Sequence, residues 1–326
     1  MIVSKTPYRI SFFGGGTDYP KWYNENYGSV LSTSIDKYCY ISCRQLPPFF
    51  NHKYRIVYSI EEKINKISQI KHPAVKAILK IHQCNHGLEI HHDGDLPARS
   101  GIGSSSSFCV GLINAITTLN KKKYDNKALS NEAIYIEQKV IGENVGDQDQ
   151  IAAAYGGFNH IEFNKNKKFK VTKINTNKSN INKIQDNLML FYTGLQRKSS
   201  VQAKKIITNI DKNFYYLNEI SKIPQFAINL IKSNNFSEKE FGELLNDTWL
   251  LKKELSNSVS NNLIDEIYSN ALNAGALGGK ILGAGNGGFI LFYIEKKNKP
   301  KLLKRLNKLI HVPFKFEKKG SHIILN

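Results

Sequence analysis

The sequence lacks any run of apolar residues long enough to cross a membrane, since no segment approaches the ~18 uninterrupted residues that a spanning helix needs. Its first residues, MIVSKTPYRISFFGGG, lack the continuous apolar stretch and the small-residue cleavage site of a secretory signal, and they alternate as a strand does. Only four cysteines occur, and none of them forms a CxxC pair or a metal-ligand spacing. We therefore expect reduced, mostly buried thiols in a cytoplasmic protein with no membrane partner.

Acidic residues are scarce relative to basic ones: 27 Asp and Glu stand against 46 Lys and Arg, which gives a formal net charge of +19. Such an excess is compatible with nucleic-acid binding. The lysines are, however, scattered among Asn and Ile along the whole chain, and the densest patch (164–183) carries no aromatic platform or RNA-binding motif. We expect a compositional bias of the surface and no nucleic-acid partner. A small phosphorylated substrate suits the charge equally well.

Strand-like and helix-like patterns occur on both sides of the Lys- and Asn-rich stretch at 164–183. Before it, strands are predicted at 3–13, 29–35, 38–44, 54–58 and 88–92, and two amphipathic helices follow. After it, we expect long helices at 198–233, with a break near Pro224, and at 237–255. A glycine-rich turn into a strand, a further helix and a terminal strand complete the pattern. Two α+β domains are predicted.

The stretch LPARSGIGSSSS (96–107) precedes an amphipathic helix and has the composition of an anion-binding loop. Glycines let backbone amides approach an anion, and a helix N-terminus adds unpaired donors and a favourable dipole. Serine hydroxyls can donate to phosphate oxygens or ligate Mg²⁺. Because no Gly-Lys-Ser/Thr follows, and Ser106 replaces the third glycine of a dinucleotide fingerprint, the stretch is neither a Walker A loop nor a Rossmann motif. A serine-rich helix cap without a ligand is the alternative.

Two acidic positions follow this helix. Glu137 falls on the apolar face of a predicted helix at 128–141, where an unpaired carboxylate is costly, so it should meet a cation, a metal or a donor. A place at the edge of the apolar stripe, with the carboxylate in water, is the alternative. In GENVGDQDQ (142–150), Asp147 and Gln150 have the spacing of a capping box. Asp149 has no such structural task, which makes it the better functional candidate.

Two further stretches are rich in glycine. SFFGGGTDY (11–19) closes the first strand, and its Asp18 could bind ligand hydroxyls or merely cap the following segment. GAGNGG (283–288) matches GxGxxG, but a strand and not a helix follows it. By itself GAGNGG therefore predicts only a tight hairpin whose backbone another segment can approach closely.

In order and spacing, these stretches resemble the motifs of the GHMP kinases, the family of galactokinase, homoserine kinase, mevalonate kinase and phosphomevalonate kinase. RISFFGGGTDY is similar to the first motif, LPARSGIGSSSS to the phosphate loop, GENVGDQDQ to a motif of the sugar kinases and KILGAGNGGFILF to the C-terminal motif. The resemblance covers essentially the whole chain. It implies the two-domain α+β fold of that family: an N-terminal domain (1–175) with a left-handed βαβ unit, and a C-terminal ferredoxin-like domain (176–326).

The resemblance also implies that ATP and the substrate bind in the cleft between the domains, and it assigns residues to them. Asp149 would be the catalytic aspartate with Arg9 beside it. Ser105 and Glu137 would be the protein ligands of Mg²⁺. The ATP-binding residues would be Pro97, Ser100, Gly101, Ile102, Gly103, Ser104, Ser105 and Ser106. The substrate-binding residues would be Gly15, Gly16, Thr17, Asp18, Arg197 and Gly285.

The first motif departs from that of galactokinases, because Gly15 and Gly16 stand where those enzymes carry a sugar-binding Glu and His. This departure argues against galactose and leaves room for a larger sugar. PYRISFFGGGTDYPKWY, STSIDKY and YTGLQRKS most resemble the members that phosphorylate the anomeric hydroxyl of D-glycero-D-manno-heptose 7-phosphate, with Arg197 and then Lys198 as candidates for the 7-phosphate site. The alternatives are another anomeric sugar kinase, of the fucose type, and, from a different class, a basic nucleic-acid-binding protein without ATP turnover.

Overall fold

The computed structural model describes residues 1–165, 168–195 and 199–326. Its strands are β1 (Ile2–Phe13), β2 (Gly28–Gln45), β3 (Tyr54–Val57), β4 (Glu61–Ile64), β5 (Leu88–Gly94), β6 (Phe158–Asn164), β7 (Lys168–Lys173), β8 (Leu188–Tyr192), β9 (Ala276–Ile281), β10 (Phe289–Ile294), β11 (Ile310–His311), β12 (Phe316–Glu317) and β13 (His322–Leu325). Its α-helices are α1 (Pro20–Tyr23), α2 (Pro73–Ile81), α3 (Ser104–Leu119), α4 (Asn126–Tyr135), α5 (Gln148–Tyr155), α6 (Lys178–Asp186), α7 (Ser199–Thr208), α8 (Phe214–Lys232), α9 (Glu238–Glu254), α10 (Asn262–Asn273) and α11 (Lys299–Arg305). Short 3₁₀ turns span Ile67–Gln69 and Lys296–Asn298, and a π-helical turn spans Ile136–Val140.

Among the described residues, the larger sheet has nine strands, and its main path is β13-β1-β2-β5-β3-β4. In addition, β6 and β12 pair with β2, and β7 pairs with β6. The predicted strands at 29–35 and 38–44 are one 18-residue strand, β2. They stay continuous because β1 pairs with β2 across both stretches, with register shifts between Pro7 and Tyr8 and between Ser11 and Phe13. The two ends of β2 then take different partners on the far side, β6 along Gly28–Thr33 and β5 along Cys39–Gln45.

One pair of strands in this sheet is parallel. β3 pairs in parallel with β5, and the chain between them passes through β4 and α2. This is the expected βαβ unit, and its left-handed crossover stays a prediction. The helix of the unit, α2, has Pro73 in its first turn, which suits a position that donates no intrahelical hydrogen bond, and buries Val75, Ile78 and Leu79.

The smaller sheet has four antiparallel strands in the order β11-β8-β10-β9. Helices α7 to α10 connect β8 to β9, a hairpin connects β9 to β10, and α11 connects β10 to β11. The chain order β-α-β-β-α-β with this strand arrangement is ferredoxin-like, as expected. After β11 the chain returns to the larger sheet, where β12 pairs with β2 and β13 with β1. The boundary at residue 175 stays a prediction.

The predicted helix break near Pro224 is wrong. Pro224 lies inside α8 and is buried, and the interruption falls earlier, between α7 and α8. The interrupting residues NIDKN (209–213) are rich in Asn and Asp, whose side chains compete with helical hydrogen bonds. The side-chain amide of Asn213 donates to the backbone carbonyl of Leu255 at 2.6 Å, which fixes the turn against the end of α9.

Helix α3 is the central helix of the larger domain and is buried along most of its length against β1, β2 and α5. All four cysteines are buried and unpaired, as expected from the sequence. No helix within the described ranges combines the length and the apolar character required to span a bilayer. The burial of α3 fixes the position of its first turn, where the glycine- and serine-rich loop ends.

Candidate active site

A cavity of about 970 Å³ opens between the two sheets, and its walls carry most of the residues that the sequence singles out. This volume is at the upper end of the range for small-molecule sites. Four segments converge on the cavity: the end of β1 with the glycine-rich loop after it, the loop before α3, the segment before α5, and the β9–β10 turn.

The loop before α3 has the geometry of an anion site. Gly103 is the N-cap residue with a φ of 75°, and no side chain caps the helix. The left-handed φ favours glycine, and a Cβ added at Gly103 would lie in tight contact with Cγ of Arg9, at 3.3 Å. Ser104 Oγ accepts a hydrogen bond from the Arg99 amide at 3.2 Å instead of capping α3. The alternative of a plain serine cap is therefore wrong, and the first turn of α3 faces the cavity with its amides uncapped by any side chain.

The glycine-rich turn between β9 and β10 packs backbone to backbone on this loop. The Phe289 amide donates to the Ser100 carbonyl at 3.0 Å. A Cβ at Gly283 would lie 2.6 Å from Cα of Gly101, and one at Gly288 would lie 2.1 Å from the Ser100 oxygen. Any larger residue would force the two loops apart. The predicted hairpin is present, and it also holds the phosphate loop in place.

This turn reaches the cavity through Gly283 and Ala284. Gly285, predicted to bind substrate, packs instead against Val259, whose carbonyl oxygen would lie 2.6 Å from an added Cβ. Below the turn, the Lys252 ammonium donates to the carbonyls of Ile281 and Gly283. Sequence reasoning missed Lys252, because a single lysine in an amphipathic helix has no distinguishing pattern.

Arg9 and Asp149 form a two-point ion pair. Arg9 Nε donates to Oδ1 at 2.8 Å and Nη2 to Oδ2 at 2.9 Å. Arg9 is 3% exposed, whereas a quarter of the Asp149 side chain reaches the cavity. The third guanidinium nitrogen donates to the Gly101 carbonyl at 2.7 Å, and the Arg9 amide donates to the Ile102 carbonyl at 3.1 Å. Paired guanidinium and carboxylate groups are held more rigidly than single contacts, so Asp149 is oriented towards the phosphate loop.

Glu137 lies on the other side of that loop and is 1% exposed. Its carboxylate accepts hydrogen bonds from Ser105 at 3.0 Å, Ser106 at 2.7 Å and the Gln150 amide at 2.5 Å. The interpretation with the carboxylate in water is therefore wrong. The π-helical turn at 136–140 inserts an extra residue into the helical path, a distortion typical of functional sites.

Burial raises the pKa of Glu137 to about 7, with the hydrogen bonds from Ser106, Gln150 and Ser105 acting in the opposite direction. The described residues contain no cluster of three or more His, Cys, Asp or Glu that could hold a metal by themselves. Mg²⁺ usually takes one or two carboxylates and completes its shell with water and phosphate oxygens. One buried carboxylate beside two hydroxyls, at the mouth of an anion loop, fits such an ion.

The predicted capping box at Asp147 is wrong. Asp147 makes no side-chain cap on α5, and its buried carboxylate accepts hydrogen bonds from the Tyr23 hydroxyl at 2.7 Å and the Gln138 amide at 2.5 Å. Gln150, the second residue of the predicted capping box, donates its side-chain amide to Glu137 instead. Both side chains point inwards, because a buried carboxylate needs donors that only distant segments can supply.

The loop after β1 combines bracing and lining residues. The Thr17 hydroxyl is buried and donates to the Gly14 carbonyl at 2.8 Å, which braces the loop rather than lining the cavity. Gly15, Gly16 and Asp18 line the cavity. Asp18 is 2% exposed and accepts from the Gly16 amide at 2.9 Å; burial raises its pKa, and the neighbouring Asp149 adds to this effect. Arg197 lies outside the described residues, so its role stays a prediction.

Lys280, the first residue of the motif KILGAGNGG, is a further buried basic residue of the cavity wall, beside the end of β1. It is 3% exposed, and its ammonium donates to the Phe12 carbonyl at 2.7 Å. Burial, with the positive charge of Arg9, lowers the pKa of Lys280 to about 7. Lys280 thus links the smaller sheet to the end of β1.

At the opposite end, the cavity is lined by aromatic rings that sequence reasoning missed. His72 stacks on Phe108 with ring centroids 4.6 Å apart, while Tyr58 and His92 meet these two rings edge-on at 4.8 and 5.1 Å. Burial lowers the pKa of His72 to about 4, so the ring is neutral at pH 7. The four residues come from separate elements, so no local pattern in the sequence marks them as a group.

Comparison with known proteins agrees with this architecture. The model of the GHMP kinases N terminal domain matches residues 66–157, and that of the GHMP kinases C terminal matches residues 230–311. The chain belongs to the GHMP kinase family. It is thus an ATP-dependent phosphotransferase that acts on an alcohol group, and the relatives named next indicate a sugar as the acceptor.

A D-glycero-alpha-D-manno-heptose 7-phosphate kinase from Campylobacter jejuni is 29% identical over 94% of this chain and 93% of its own. A bifunctional fucokinase/GDP-fucose pyrophosphorylase from Arabidopsis thaliana is 23% identical over 92% of this chain, which spans only 30% of that longer protein. Among solved structures, a D-glycero-D-manno-heptose 1-phosphate kinase from Bacteroides thetaiotaomicron superposes with a TM-score of 0.82 over 100% of this chain and 99% of its own, at 23% identity. The last likeness shows the shared fold.

The two aspartates before and within α5 should respond differently to substitution. Asp149→Asn should lower kcat by roughly 10²–10⁴-fold, the range for loss of a general base. Asp147→Asn should mainly lower stability, because its new amide would face the donors Tyr23 and Gln138, and an unsatisfied buried donor costs ~1–3 kcal/mol. Steady-state kinetics and thermal unfolding of both variants test this. An exchange of the two effects would show that the wrong aspartate was assigned to the chemistry.

Glu137 should make stability depend on pH. Its pKa is raised from 4.5 to about 7 in the folded protein, so the stabilisation from its bound proton is complete below pH 4.5 and is lost as the pH rises through 7. Glu137→Gln removes this titration. Urea unfolding without nucleotide or divalent cation should therefore show the variant gaining stability relative to the wild type between about pH 5 and pH 8. Parallel pH profiles would contradict the assignment.

Proposed function

We propose that this chain is a sugar kinase that transfers the γ-phosphoryl group of ATP to the anomeric hydroxyl of D-glycero-D-manno-heptose 7-phosphate, which gives the 1,7-bisphosphate. The observation that carries the proposal is the composition of the acceptor end of the cavity. Asp18 and Asp149 line it together, and Gly15 leaves an open space beside them. Carboxylate oxygens accept hydrogen bonds, so a ligand that presents several hydroxyl donors suits this end.

The open space at Gly15 is not a requirement of the backbone. An added Cβ there would meet Ser11 Oγ at 3.5 Å and Gln148 Nε2 at 3.6 Å, which are ordinary contacts. At the neighbouring Gly14, by contrast, φ is 84° and an added Cβ would lie 1.8 Å from the Ser29 carbonyl oxygen. Gly14 is therefore needed by the fold, while Gly15 keeps volume free at the acceptor end. This difference supports an acceptor larger than a hexose.

The other end of the cavity suits a nucleotide. The aromatic group of Tyr58, His72, His92 and Phe108 offers flat apolar faces for a base, and the uncapped turn at Gly103 offers amides for phosphate oxygens. Mg²⁺ bound by Glu137 and Ser105 would neutralise charge on the transferred phosphoryl group. Pro97, Ser100, Gly101, Ile102, Gly103, Ser104 and Ser106 form or brace the loop between these two groups.

Phosphoryl transfer needs little covalent help from the protein, so positioning and charge neutralisation dominate. The acceptor oxygen forms a bond to the γ-phosphorus as the bond to the β-phosphate oxygen breaks. Asp149 accepts or orients the proton of the reacting hydroxyl. Arg9 holds Asp149 turned towards the phosphate loop through its two-point contact, and its guanidinium also donates to the loop carbonyl of Gly101.

The names of two relatives support a heptose acceptor, one a heptose 7-phosphate kinase and the other a heptose 1-phosphate kinase. For the remote phosphate we keep Arg197 as the candidate. Ser200 and Ala203 of α7, which begins two residues after Arg197, line the cavity. The similarity to a fucokinase keeps a fucose-type anomeric kinase as the second candidate. A requirement for the 7-phosphate separates the two.

An acceptor panel tests the proposal directly. ADP release should be measured with heptose 7-phosphate, heptose 1-phosphate, free heptose, fucose and galactose. We expect kcat/KM to be highest for heptose 7-phosphate and at least ~10-fold lower for free heptose, equivalent to ~1.4 kcal/mol. Arg197→Ala should lower kcat/KM for the 7-phosphate and barely change the rate on free heptose. Equal loss on both sugars would place the phosphate site elsewhere, and preference for fucose would favour the second candidate.

Gly15→Ala tests the open space, with Gly14→Ala as its matched control. Gly15→Ala should fold normally and raise KM for the acceptor while leaving KM for ATP unchanged, because the new methyl group enters the acceptor end alone. Gly14→Ala should lose at least ~1 kcal/mol of stability, since both its φ and its space exclude a side chain. Thermal unfolding and steady-state kinetics measure both. A Gly15→Ala enzyme with unchanged acceptor KM would contradict the role of Gly15.

A further inference from the structure

Two buried polar atoms at the acceptor end have no hydrogen-bond partner among the described residues: Ser11 Oγ and Gln148 Oε1. Ser11 is 5% exposed and Gln148 is 8% exposed, and both line the cavity. Buried polar atoms in proteins nearly always have a hydrogen-bond partner, because without one no hydrogen bond offsets the free energy of desolvation. A pair of such atoms in one cavity therefore points to a ligand.

The placement of Ser11 follows from its strand. Successive side chains of a strand alternate in direction, so Arg9 and Ser11 share one face of β1. The residues between and after them, Ile10 and Phe12, are fully buried in the hydrophobic core on the other face. Ser11 thus extends the wall that Arg9 begins, two residues further from the phosphate loop.

The placement of Gln148 follows from its neighbours. It directly precedes Asp149, and its side-chain amide faces the Asp18 carboxylate. Since a carboxylate can only accept, the amide nitrogen must face Asp18, which leaves Oε1 as the free acceptor. Ser11 Oγ and Gln148 Nε2 both lie within 3.6 Å of the Cβ position at Gly15. The two residues therefore border the open space that Gly15 leaves.

We propose that Ser11 and Gln148 bind hydroxyls of the acceptor that neighbour the reacting hydroxyl, and that they set its orientation towards Asp149. This inference rests on the proposed function in requiring a polyhydroxyl acceptor. Gln148 Oε1 accepts from one acceptor hydroxyl, and Ser11 Oγ can donate to or accept from another. Together with Asp18, they recognise a sugar by its pattern of neighbouring O–H groups.

Ser11→Ala tests the inference, with Ser4→Ala as the matched control. Ser4 is a buried serine of the same strand, but its hydroxyl donates to the Gly111 carbonyl at 2.8 Å. Ser11→Ala should leave the melting temperature of the free protein unchanged or raised, because it removes an unsatisfied group. It should raise KM for the acceptor about 3- to 10-fold, the effect of one neutral hydrogen bond, and leave KM for ATP unchanged. Ser4→Ala should lower the melting temperature and leave both KM values unchanged.

Deoxy analogues of the acceptor then identify the hydroxyl involved. With the analogue that lacks the hydroxyl bound by Ser11, Ser11→Ala should cost nothing further, so the two losses should not add. Gln148→Met should behave in the same way towards a different deoxy analogue. Losses that add for every analogue, or a Ser11→Ala protein with a lower melting temperature and unchanged acceptor KM, would overturn the inference.

Failure of the proposed function gives a different result. If the wild type turns over another sugar from the panel, the heptose assignment is wrong, and the comparison of Ser11→Ala with Ser4→Ala on that sugar still decides the inference. If the wild type turns over no hydroxylated acceptor at all, both are overturned.

Discussion

The contact on which the site depends is the guanidinium of Arg9. Its three nitrogens reach two segments that are far apart in sequence, Asp149 at the start of α5 and the carbonyl of Gly101 in the phosphate loop. Its own amide adds a bond to Ile102. Because Arg9 stands on a strand that pairs with β2 along its length, it ties both segments to the larger sheet.

Around this contact the protein maintains several ionisable groups in unfavourable surroundings. Burial raises the pKa of Glu137 and Asp18 and lowers that of Lys280, and each shift is a measure of folding free energy given up at the site. Ligands can reverse these costs: a cation favours ionised Glu137, and phosphate oxygens favour charged Lys280. In the free protein, the core beneath the site, mainly α3 against β1 and β2, offsets these costs.

Local composition predicted the loop before α3, because glycines and serines have strong local preferences, and it gave the burial of Glu137 as one of two alternatives. The approach of Arg9 to Asp149 came from the resemblance to the GHMP kinases and not from a local pattern. Features decided by distant partners escaped prediction. Asp147 fits a capping box locally, but Tyr23 lies 124 residues away and competes for it. The single strand β2 depends on β1, and the continuous helix through Pro224 depends on the packing of α8. Ser11 and Gln148 gave no signal, because an unsatisfied atom is visible only in three dimensions.

The return of the chain to the larger sheet has a mechanical consequence. The polypeptide crosses between the sheets twice, once through α6 and once between β11 and β12. The second crossing is short and anchored at both ends, by the Val312 amide to Leu190 and by reciprocal bonds between Lys315 and Asp36. Two tethers remove the freedom to slide or swivel that a single linker leaves. A cleft bounded by two such connections therefore has less freedom to open than one spanned by a single linker.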